Sequence, residues 1–475
     1  MVVTMHTKNP TTIVVFGATG DLFRKKIAPA LINLYVSGQL PNFFRVVAFT
    51  RRPWSDGEFR NFLKEILDAE MPLVSPEVKK VLLDNTYHVS GEFELFSSYE
   101  KVAELLSRID TEAGVCSNKL FYVSTPPAFY ETILKHVSDS GLAIPCALAK
   151  TADEAGWTRI LIEKPFGSNL DSALKLDKML GKLFTESQIF RIDHYLAKET
   201  VQNILSFRFA NALFEPVWNN KYIDRVEIKL LEKSGVGTRG ASYEAVGALR
   251  DVGQNHVLQL LALSAMENPV SSSAQALRKK RAEALTKFKL ATGKNALVVR
   301  AQYDEYRNEN GVSKDSETET YFKVQLTLNN HRFRGVPFII ESGKGLVESK
   351  VEIVVYFKQA FPGLCPAGVC PFPGNMIIFR VQPDEHISLA YWAKKPGLDF
   401  ALESKELALT KAASAAVGDA LGAYERVLID AIRGDQTLFA STDEVIAQWK
   451  ITQDIFKKWT KNEILKYPKG TTPNF

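Results

Sequence analysis

The sequence predicts two domains of different fold class, an α/β domain with a parallel sheet followed by an α+β domain with a large, mainly antiparallel sheet. Its 475 residues are enough for two or three domains of about 100–200 residues each. In the first part of the chain, short β-branched strands alternate with helical periodicity, which is typical of βαβ units. Beyond about residue 185 the later strands follow one another with few helices between them, which favours an antiparallel sheet.

We place the domain boundary between residues 185 and 186. In the domain 1–185 the pattern predicts strands at 12–16, 44–50, 119–124 and 157–163, and helices at 26–37, 56–70, 129–138 and 171–183. In the domain 186–475 it predicts strands at 225–232, 321–328, 351–357 and 375–381, and helices at 245–266, 271–290, 418–433 and 441–457. We expect the tail 461–475 to be loosely held.

The composition is that of an ordinary globular protein. A hydrophobic fraction of 45% and a charged fraction of 24% exclude a disordered, collagen-like or coiled-coil chain. A net charge of +5 over 475 residues is too dilute to indicate a nucleic-acid partner. The longest apolar stretches, near 257–266, are shorter than the roughly 18 residues of a membrane span, and the first residues contain no apolar signal core. We therefore expect a cytoplasmic protein without a membrane partner.

The four cysteines are too few for a disulfide scaffold. Cys365 and Cys370 stand among Pro and Gly residues, which favours a loop over a metal site, and the histidines are dispersed. We predict no metal site.

A glycine-containing loop, GATGDL at 17–22, joins the first predicted strand to the first predicted helix. Glycines at such a turn let backbone amides approach a pyrophosphate at the positive end of a helix. The first glycine of the usual G-x-G-x-x-G is missing, because position 15 is Val, so a simple tight turn is the alternative. The position of the loop in the first βαβ unit favours a dinucleotide and a Rossmann-like coenzyme domain.

The end of the second predicted strand indicates which dinucleotide is bound. An NAD site usually has an acidic residue there, for the ribose hydroxyls, whereas an NADP site has Arg. Here the strand is followed by Arg51 and Arg52, whose guanidinium groups can bind a 2′-phosphate. An exposed loop pair is the alternative. We predict that the cofactor is NADP.

Three further segments place polar residues where ligands bind. EKPFG at 163–167 follows a predicted parallel strand, and ligands of α/β proteins bind at the carboxyl ends of such strands. RIDHYLAKE occupies 191–199, and RDVGQNH at 250–256 lies in a predicted helix. In a helical turn, Tyr195 and Lys198 would share one face.

In this order, the segments resemble the glucose-6-phosphate dehydrogenase family. The resemblance covers essentially the whole chain, and RIDHYLxKE is its most specific part, whereas EKP is shared with other sugar oxidoreductases. The matching segments also include GATGDLFRKK at 17–26, LFYVSTPPAFYE at 120–131, VPFIIESGKGL at 336–346 and AYERVLIDAIRGDQTLF at 423–439. Ala197 stands where the family usually has glycine.

The resemblance implies oxidation of D-glucose 6-phosphate at C1 to 6-phospho-D-glucono-1,5-lactone with hydride transfer to NADP, the first step of the oxidative pentose phosphate pathway. It implies His256 as the base, Asp193 as the group that orients it, and Lys164 as a bridge between sugar and nicotinamide ribose, with a cis bond at Pro165. The implied substrate-binding residues are Lys164, His194, Tyr195, Lys198, Glu232, Asp251 and Lys344. The implied cofactor-binding residues are Gly17, Thr19, Gly20, Asp21, Leu22, Arg51, Tyr130 and Lys164, and the arginine pair at the end of the second predicted strand adds Arg52. The family usually forms homodimers or homotetramers.

Two alternatives remain, a dehydrogenase of another aldose and a catalytically silent NADP-sensing protein. His194, Tyr195 and Lys198 argue against the first, because these donors would be unsatisfied without a phosphate. The presence of both Asp193 and His256 argues against the second.

Departures from the family pattern occur near the predicted phosphate site. Ser349 stands where many relatives keep a basic residue, and Lys350 would face the other way in a strand. Glu341 and Val354 stand where animal-type members hold a second, structural NADP through arginines. We therefore expect one NADP per chain.

Overall fold

The computed structural model describes residues 10–41, 43–144, 156–293, 296–359, 374–399, 401–410, 422–460 and 463–475. They form two compact units. The first unit consists of the described parts of Met1–Gly167, Asp171–Ala197 and Ser414–Ala440, and the second of those of Ser168–Leu170, Lys198–Ala413 and Ser441–Phe475. The predicted domain boundary at 185 and 186 stays a prediction. In the structure the segment 186–197 packs with the first unit, and the chain returns to that unit late in the sequence.

The strands alternate with helices early in the chain and follow one another later. In chain order they are β1 (Thr11–Phe16), β2 (Phe44–Thr50), β3 (Thr86–Ser90), β4 (Asn118–Val123), β5 (Thr158–Ile162), β6 (Ile189–Ile192), β7 (Ile223–Leu231), β8 (Phe288–Leu290), β9 (Val298–Tyr303), β10 (Tyr321–Leu328), β11 (Pro337–Gly343), β12 (Lys350–Phe357), β13 (Met376–Gln382), β14 (His386–Lys394), β15 (Leu402–Thr410), β16 (Phe439–Ala440) and β17 (Leu465–Tyr467).

The helices are amphipathic for the most part. They are α1 (Ala28–Val36), α2 (Asp56–Glu70), α3 (Pro76–Asp84), α4 (Phe96–Ala113), α5 (Tyr130–Asp139), α6 (Leu170–Leu183), α7 (Glu199–Phe209), α8 (Gly240–Glu244), α9 (Leu258–Ala265), α10 (Ala274–Lys287), α11 (Ala423–Arg433) and α12 (Thr442–Trp459). Two segments, Phe23–Ile27 before α1 and Leu249–Val257 before α9, are π-helical. Among the described residues, no helix is both long and apolar enough to cross a membrane.

The sheet of the first unit has the strand order β16-β6-β5-β4-β1-β2-β3. All of its pairings are parallel except that of β16 with β6. Every residue of β1 is buried, as expected for a parallel sheet covered on both faces. Because β1 lies between β2 and β4, the direction in which the chain adds strands reverses at β1. Ligands of such sheets bind at this reversal, outside the carboxyl ends of the strands.

The sheet of the second unit follows the order β15-β14-β13-β12-β7-β11-β10-β9-β17, with β8 paired to β10. Its pairings are antiparallel except for β7 with β11 and β9 with β17. Against it pack helices such as α10 and α12, which are joined by a buried ion pair of 2.7 Å between Arg281 and Glu444. The predicted fold class, a Rossmann-like α/β unit plus an α+β unit with a mainly antiparallel sheet, is confirmed.

The predicted elements of the first part are confirmed within about two residues. In the second part, the helix predicted from 245 begins at Leu249, because Gly247 adopts a positive φ of 70° that a right-handed helix does not contain. The helix predicted to reach 290 ends at Lys287, and the next three residues form β8. Residues 418–421 of another predicted helix lie outside the described residues.

The tail is not loosely held, contrary to our expectation. β17 pairs in parallel with β9, and Tyr467 is only 2% exposed. The Tyr467 hydroxyl donates to the backbone oxygen of Lys344 over 2.6 Å. Phe475 packs on Tyr321, with 5.9 Å between ring centroids. Buried aromatic contacts therefore fix this segment, although its composition is that of a loose terminus.

Cys116 takes part in a disulfide bond. One such bond is not a disulfide scaffold, so it does not contradict the expectation from the number of cysteines. The predicted loop at Cys365 and Cys370 lies outside the described residues.

Candidate active site

The loop after β1 is shaped to let a ligand approach the backbone. Gly17 has a φ of +84°, and a Cβ atom there would lie 2.7 Å from the carbonyl oxygen of Ser124, after β4. The Gly20 N–H donates to the carbonyl oxygen of Gly17 over 3.0 Å. Only glycine fits position 17 in this conformation. The loop therefore turns tightly at the reversal point of the sheet, as the sequence predicted for a coenzyme loop.

A pocket of about 390 Å³ opens beside this loop. It brings together five of the predicted cofactor residues with five that we did not name. Its lining consists of Gly17, Thr19, Gly20, Arg51 and Arg52, together with Thr50, Phe93, Ser124, Thr125 and Pro126. The Thr125 hydroxyl is buried, and no hydrogen bond to it is found among the described residues. A bare glycine loop, two arginines and an unsatisfied hydroxyl fit a dinucleotide with an extra phosphate.

The two arginines extend from the end of β2 in different ways. The Arg52 guanidinium lies 5.0 Å from the ring centroid of Trp54, and the backbone N–H of Arg52 donates to the Thr50 hydroxyl over 3.2 Å. Arg51 is exposed. Both guanidinium groups therefore lie at a pocket wall, where a phosphate reaches them without entering the core.

The predicted cofactor residues Asp21, Leu22 and Tyr130 are not part of the lining of this pocket. Asp21 is exposed and lies 3.9 Å from Lys25, and Leu22 is half-buried. Tyr130 is 3% exposed, and its hydroxyl donates to the backbone oxygen of Glu163 over 2.9 Å. Tyr130 thus supports the end of β5 from within the unit.

Glu163 and Lys164 follow β5 directly. Glu163 is buried, and it accepts a hydrogen bond of 2.7 Å from the Tyr122 hydroxyl. Burial raises the pKa of Glu163 to about 7, although the bond from Tyr122 and the charge of Lys164 oppose the shift. Lys164 is half-buried, and its peptide bond to Pro165 is cis.

The segment after β6 presents three predicted residues of the first unit. Asp193 is 3% exposed, and its Oδ1 atom accepts the N–H of Tyr195 over 3.1 Å. The His194 ring lies 5.0 Å from that of Tyr195 and stacks at 6.0 Å on that of Tyr424. The segment is a turn and not a helix, so the helical face predicted for Tyr195 and Lys198 does not form.

Lys198 belongs to the second unit and precedes α7 in an extended conformation, with φ −73° and ψ 138°. It is half-buried. Burial lowers the pKa of Lys198, and the charge of Glu385 opposes this shift. An ammonium group that loses hydration in this way is favourably placed to bind an anion.

Three predicted residues of the second unit meet around one ammonium group. Lys344, which follows β11 and is 3% exposed, pairs with Glu232 and lies 3.5 Å from Asp251. Its Nζ atom also lies 5.6 Å from the ring centroid of Tyr243. Because β7 and β11 are adjacent and parallel, the residues that follow them emerge at one edge. This cluster offers carboxylates and an ammonium group to hydroxyl groups of a ligand.

His256 lies on the π-helical segment that also carries Asp251. It is 2% exposed. The Asn255 side-chain amide donates to the backbone oxygens of Arg250 and Asp251, over 3.2 and 3.1 Å. π-Helical segments often occur at functional sites, and nothing in the sequence periodicity indicated this one.

The pocket residues that we missed carried a usable signal. Thr50 ends β2, and Ser124, Thr125 and Pro126 follow β4. The rule that ligands bind beyond the carboxyl ends of parallel strands points to each of them, whereas Phe93 follows no predicted strand.

Comparison with known proteins covers nearly the whole chain. The model of the glucose-6-phosphate dehydrogenase NAD binding domain matches residues 14–203, and that of the C-terminal domain matches 205–474. The chain is 36% identical to a glucose-6-phosphate 1-dehydrogenase of Chlamydia pneumoniae, over 97% of this chain and 91% of the relative. It is 37% identical to the enzyme of that name from Borreliella burgdorferi, over 97% and 94%.

Solved structures agree with these matches. A glucose-6-phosphate dehydrogenase in complex with its substrate glucose-6-phosphate is similar with a TM-score of 0.86 and 30% identity, over 98% of this chain and 96% of that one. A glucose-6-phosphate 1-dehydrogenase from Mycobacterium avium is similar with a TM-score of 0.81 and 30% identity, over 97% and 95%. With both units matched in fold and sequence, the chain belongs to the glucose-6-phosphate dehydrogenase family.

Proposed function

We propose that this protein is an NADP-dependent glucose-6-phosphate dehydrogenase. It oxidises D-glucose 6-phosphate at C1 to the 6-phospho-lactone, the first step of the oxidative pentose phosphate pathway. The observation that carries the proposal is the similarity of 98% of the chain, at a TM-score of 0.86, to an enzyme solved with that substrate.

In this proposal His256 is the general base. It takes the proton of the C1 hydroxyl group as the C1–H bond breaks and the C1=O bond forms. Histidine is the side chain used most often as a general base in enzymes, and its imidazole can accept the proton near neutral pH. Asp193 orients the imidazole and stabilises its charged form. Each side chain is shielded from solvent within its own unit, with an exposure of 2% for His256 and 3% for Asp193, which supports a role for each in proton transfer.

The phosphate group is assigned to His194, Tyr195 and Lys198. A dianion needs several donors, and each charge-assisted hydrogen bond contributes about 1.5–3 kcal/mol. The partial burial of Lys198 supports the assignment, because an ammonium group with little water around it gains most from a bound anion.

The sugar hydroxyls are assigned to Glu232, Asp251 and Lys344, which already meet in the second unit. Lys164 is assigned to bridge the sugar and the nicotinamide ribose. The coenzyme is assigned to the pocket beside the Gly17 loop, with Arg51 and Arg52 on the 2′-phosphate. When bound, NADP supplies the acceptor for the hydride from C1.

Turnover with defined substrates tests the proposal. The purified protein with NADP and glucose 6-phosphate should produce NADPH, seen as nicotinamide absorbance, and unphosphorylated glucose should be oxidised far more slowly. Equal rates with glucose or another aldose would favour the aldose dehydrogenase. Tight NADP binding without any turnover would favour the silent NADP-sensing protein.

We also propose a homodimer or homotetramer in the cytoplasm. Leu407 and Leu409 on the edge strand β15 are 60% and 70% exposed, which supports an association surface. Sedimentation at several protein concentrations tests the oligomer, and a monomer at all of them would contradict it. Fractionation of cells that express the protein tests its location.

A further inference from the structure

Glu319 is a buried carboxylate outside the site residues assigned above. It is 5% exposed and stands two residues before β10. Its Oε1 atom accepts the N–H of Leu249 over 3.0 Å, and its backbone oxygen accepts the N–H of Ala248 over 2.9 Å. Both bonds fall at the start of the π-helical segment that carries Asp251 and His256, where backbone N–H groups have no partner within the helix.

Gly247 makes this approach possible. Its φ is +70°, and a Cβ atom there would lie 2.5 Å from the Oε1 atom and 2.7 Å from the Cδ atom of Glu319. Any side chain at position 247 would therefore collide with the carboxylate and strain the backbone. The glycine and the glutamate form one close contact at the entry to the helix.

The same short segment also holds Lys344. The backbone oxygen of Thr320 accepts the N–H of Lys344 over 2.9 Å, and the N–H of Thr320 donates to Ala301 on β9 over 2.9 Å. We call residues 319–320 the bracket. On one side the bracket accepts hydrogen bonds from the start of the helical segment that carries Asp251. On the other side it accepts a hydrogen bond from the backbone N–H of Lys344. It therefore fixes the positions in which the Lys344 ammonium group and the Asp251 carboxylate lie 3.5 Å apart.

The groups around Glu319 offset only part of the free-energy cost of burying its charge. Burial raises the pKa of Glu319 to about 7, whereas the bond from Leu249 and the charges of Arg250 and Arg300 lower it. Tyr243 and Tyr306 also face this carboxylate, and it contributes to raising the pKa of each hydroxyl. A buried carboxyl group lowers the stability of the fold when it is ionised. The favourable contribution of Glu319 therefore comes from the hydrogen bonds that it accepts.

We propose that Glu319 is a positioning residue for the reaction. Through the bracket it holds the helix of Asp251 and His256 in register with Lys344, and it does not itself touch the substrate. This inference rests on the proposed function, because it assigns Glu319 a task in that same site.

The test compares Glu319→Ala with Glu319→Gln. Alanine leaves the N–H of Leu249 buried without its acceptor, so the helix start can shift. A displacement of about 1 Å at a reacting group can cost about 100-fold in rate, and we expect kcat for glucose 6-phosphate to fall roughly 10- to 100-fold, with a smaller change in KM. Glutamine keeps an acceptor oxygen and should restore kcat to within about 3-fold of wild type.

Two further variants keep the test decisive. In Gly247→Ala the added Cβ atom displaces the Glu319 carboxylate from the start of the helical segment. This variant should therefore lower kcat as Glu319→Ala does. Glu309→Ala is the matched control, because Glu309 accepts a bond of 2.8 Å from Tyr303 in the same unit and contributes no bond to the helix start. It should leave kcat unchanged. The Kd for NADP, read by calorimetry, should be the same in all variants.

The outcomes separate this inference from the function on which it rests. An active wild type with an equally active Glu319→Ala variant would overturn the role of Glu319 alone. Loss of kcat that Glu319→Gln does not restore, together with lost NADP binding, would show general misfolding and also overturn it. A wild type without turnover would overturn the proposed function and this inference together.

Discussion

The ammonium group of Lys344 lies 3.5 Å from the Oδ2 atom of Asp251, in a cluster that also contains Glu232. Lys344 follows a strand, and Asp251 lies within a helical segment. The bracket accepts hydrogen bonds from the backbone of Lys344 and from the start of the helical segment that carries Asp251. An ammonium group shared between two carboxylates is held in place before any ligand arrives, so the cluster is preorganised.

Replacing Lys344 by Met should raise the KM for glucose 6-phosphate by roughly 10- to 100-fold, because a charge-assisted bond of about 1.5–3 kcal/mol is lost. Steady-state kinetics measures the change. Lys469→Met is the matched control, since Lys469 lies in the same unit and pairs only loosely, at 3.6 Å, with Glu309. An unchanged KM in a folded Lys344→Met variant would remove Lys344 from the substrate site.

Replacing His256 by Asn should lower kcat by about 10²–10⁴, the usual contribution of a positioned base. Substrate binding should change little, because His256 acts on the proton and not on the phosphate. Stopped-flow and steady-state rates measure the loss. His331→Asn, at an exposed histidine of the same unit, serves as control. Near-normal turnover of the folded His256→Asn variant would exclude His256 as the base.

The double variant Arg51→Ala with Arg52→Ala should weaken NADP far more than NAD. The 2′-phosphate is the group that distinguishes the two cofactors, and both arginines line the pocket beside the Gly17 loop. The ratio of kcat/KM for NADP and NAD measures the preference. Arg108→Ala, at an exposed arginine of α4, should leave the ratio unchanged. Equal losses for both cofactors would show that the pair does not bind the phosphate.

Glu163 makes the stability of the first unit depend on pH. Its pKa is raised from an ordinary 4.5 to about 7, so between these values the folded chain binds more protons than the unfolded chain, and stability falls as the pH rises. Glu163→Gln removes this ionisation and keeps an acceptor for Tyr122. Its melting temperature relative to wild type should therefore increase from pH 5 to pH 8.

Thermal unfolding followed at both pH values measures this difference. Glu100→Gln, at an exposed carboxylate of α4, should show no such trend. A melting difference between Glu163→Gln and wild type that is the same at both pH values would mean that Glu163 does not titrate in this range.

One NADP should bind per chain. Glu341, which stands where animal-type members have an arginine, is 7% exposed and accepts the Tyr321 hydroxyl over 2.8 Å. Val354 offers no donor, and Lys350 already lies 2.7 Å from Glu348 and 3.3 Å from Glu352. A second phosphate-bearing ligand would thus meet acids and an occupied lysine.

Equilibrium dialysis of the NADP-free protein measures the stoichiometry. The Arg51→Ala, Arg52→Ala double variant is the control, and it should lose the tight site. Two tight sites in the wild type, or one that survives in the double variant, would contradict the prediction.

The sequence by itself determined the class of both units and the residues worth testing. Periodicity identifies strands and helices because the pattern of apolar residues in each repeats within a few residues. A glycine loop or an arginine pair is likewise recognised from a short stretch of sequence. Strands β1, β2, β4 and β5 were predicted in this way, whereas β3 and β6 were not. The position of Gly17 and of Arg51 at the carboxyl edge of a parallel sheet followed from the same patterns.

Only the tertiary structure decided which distant segments meet. The return of 422–440 to the first unit, the burial of Tyr467 in a tail of polar composition, and the bonds of the 319–320 bracket all depend on contacts between residues far apart in the chain. Such contacts depend on which helices and strands pack against one another when the chain folds, and local secondary-structure propensity does not determine this packing. For this reason Lys344 and Asp251 were predicted one by one, whereas the bracket that brings them together was not.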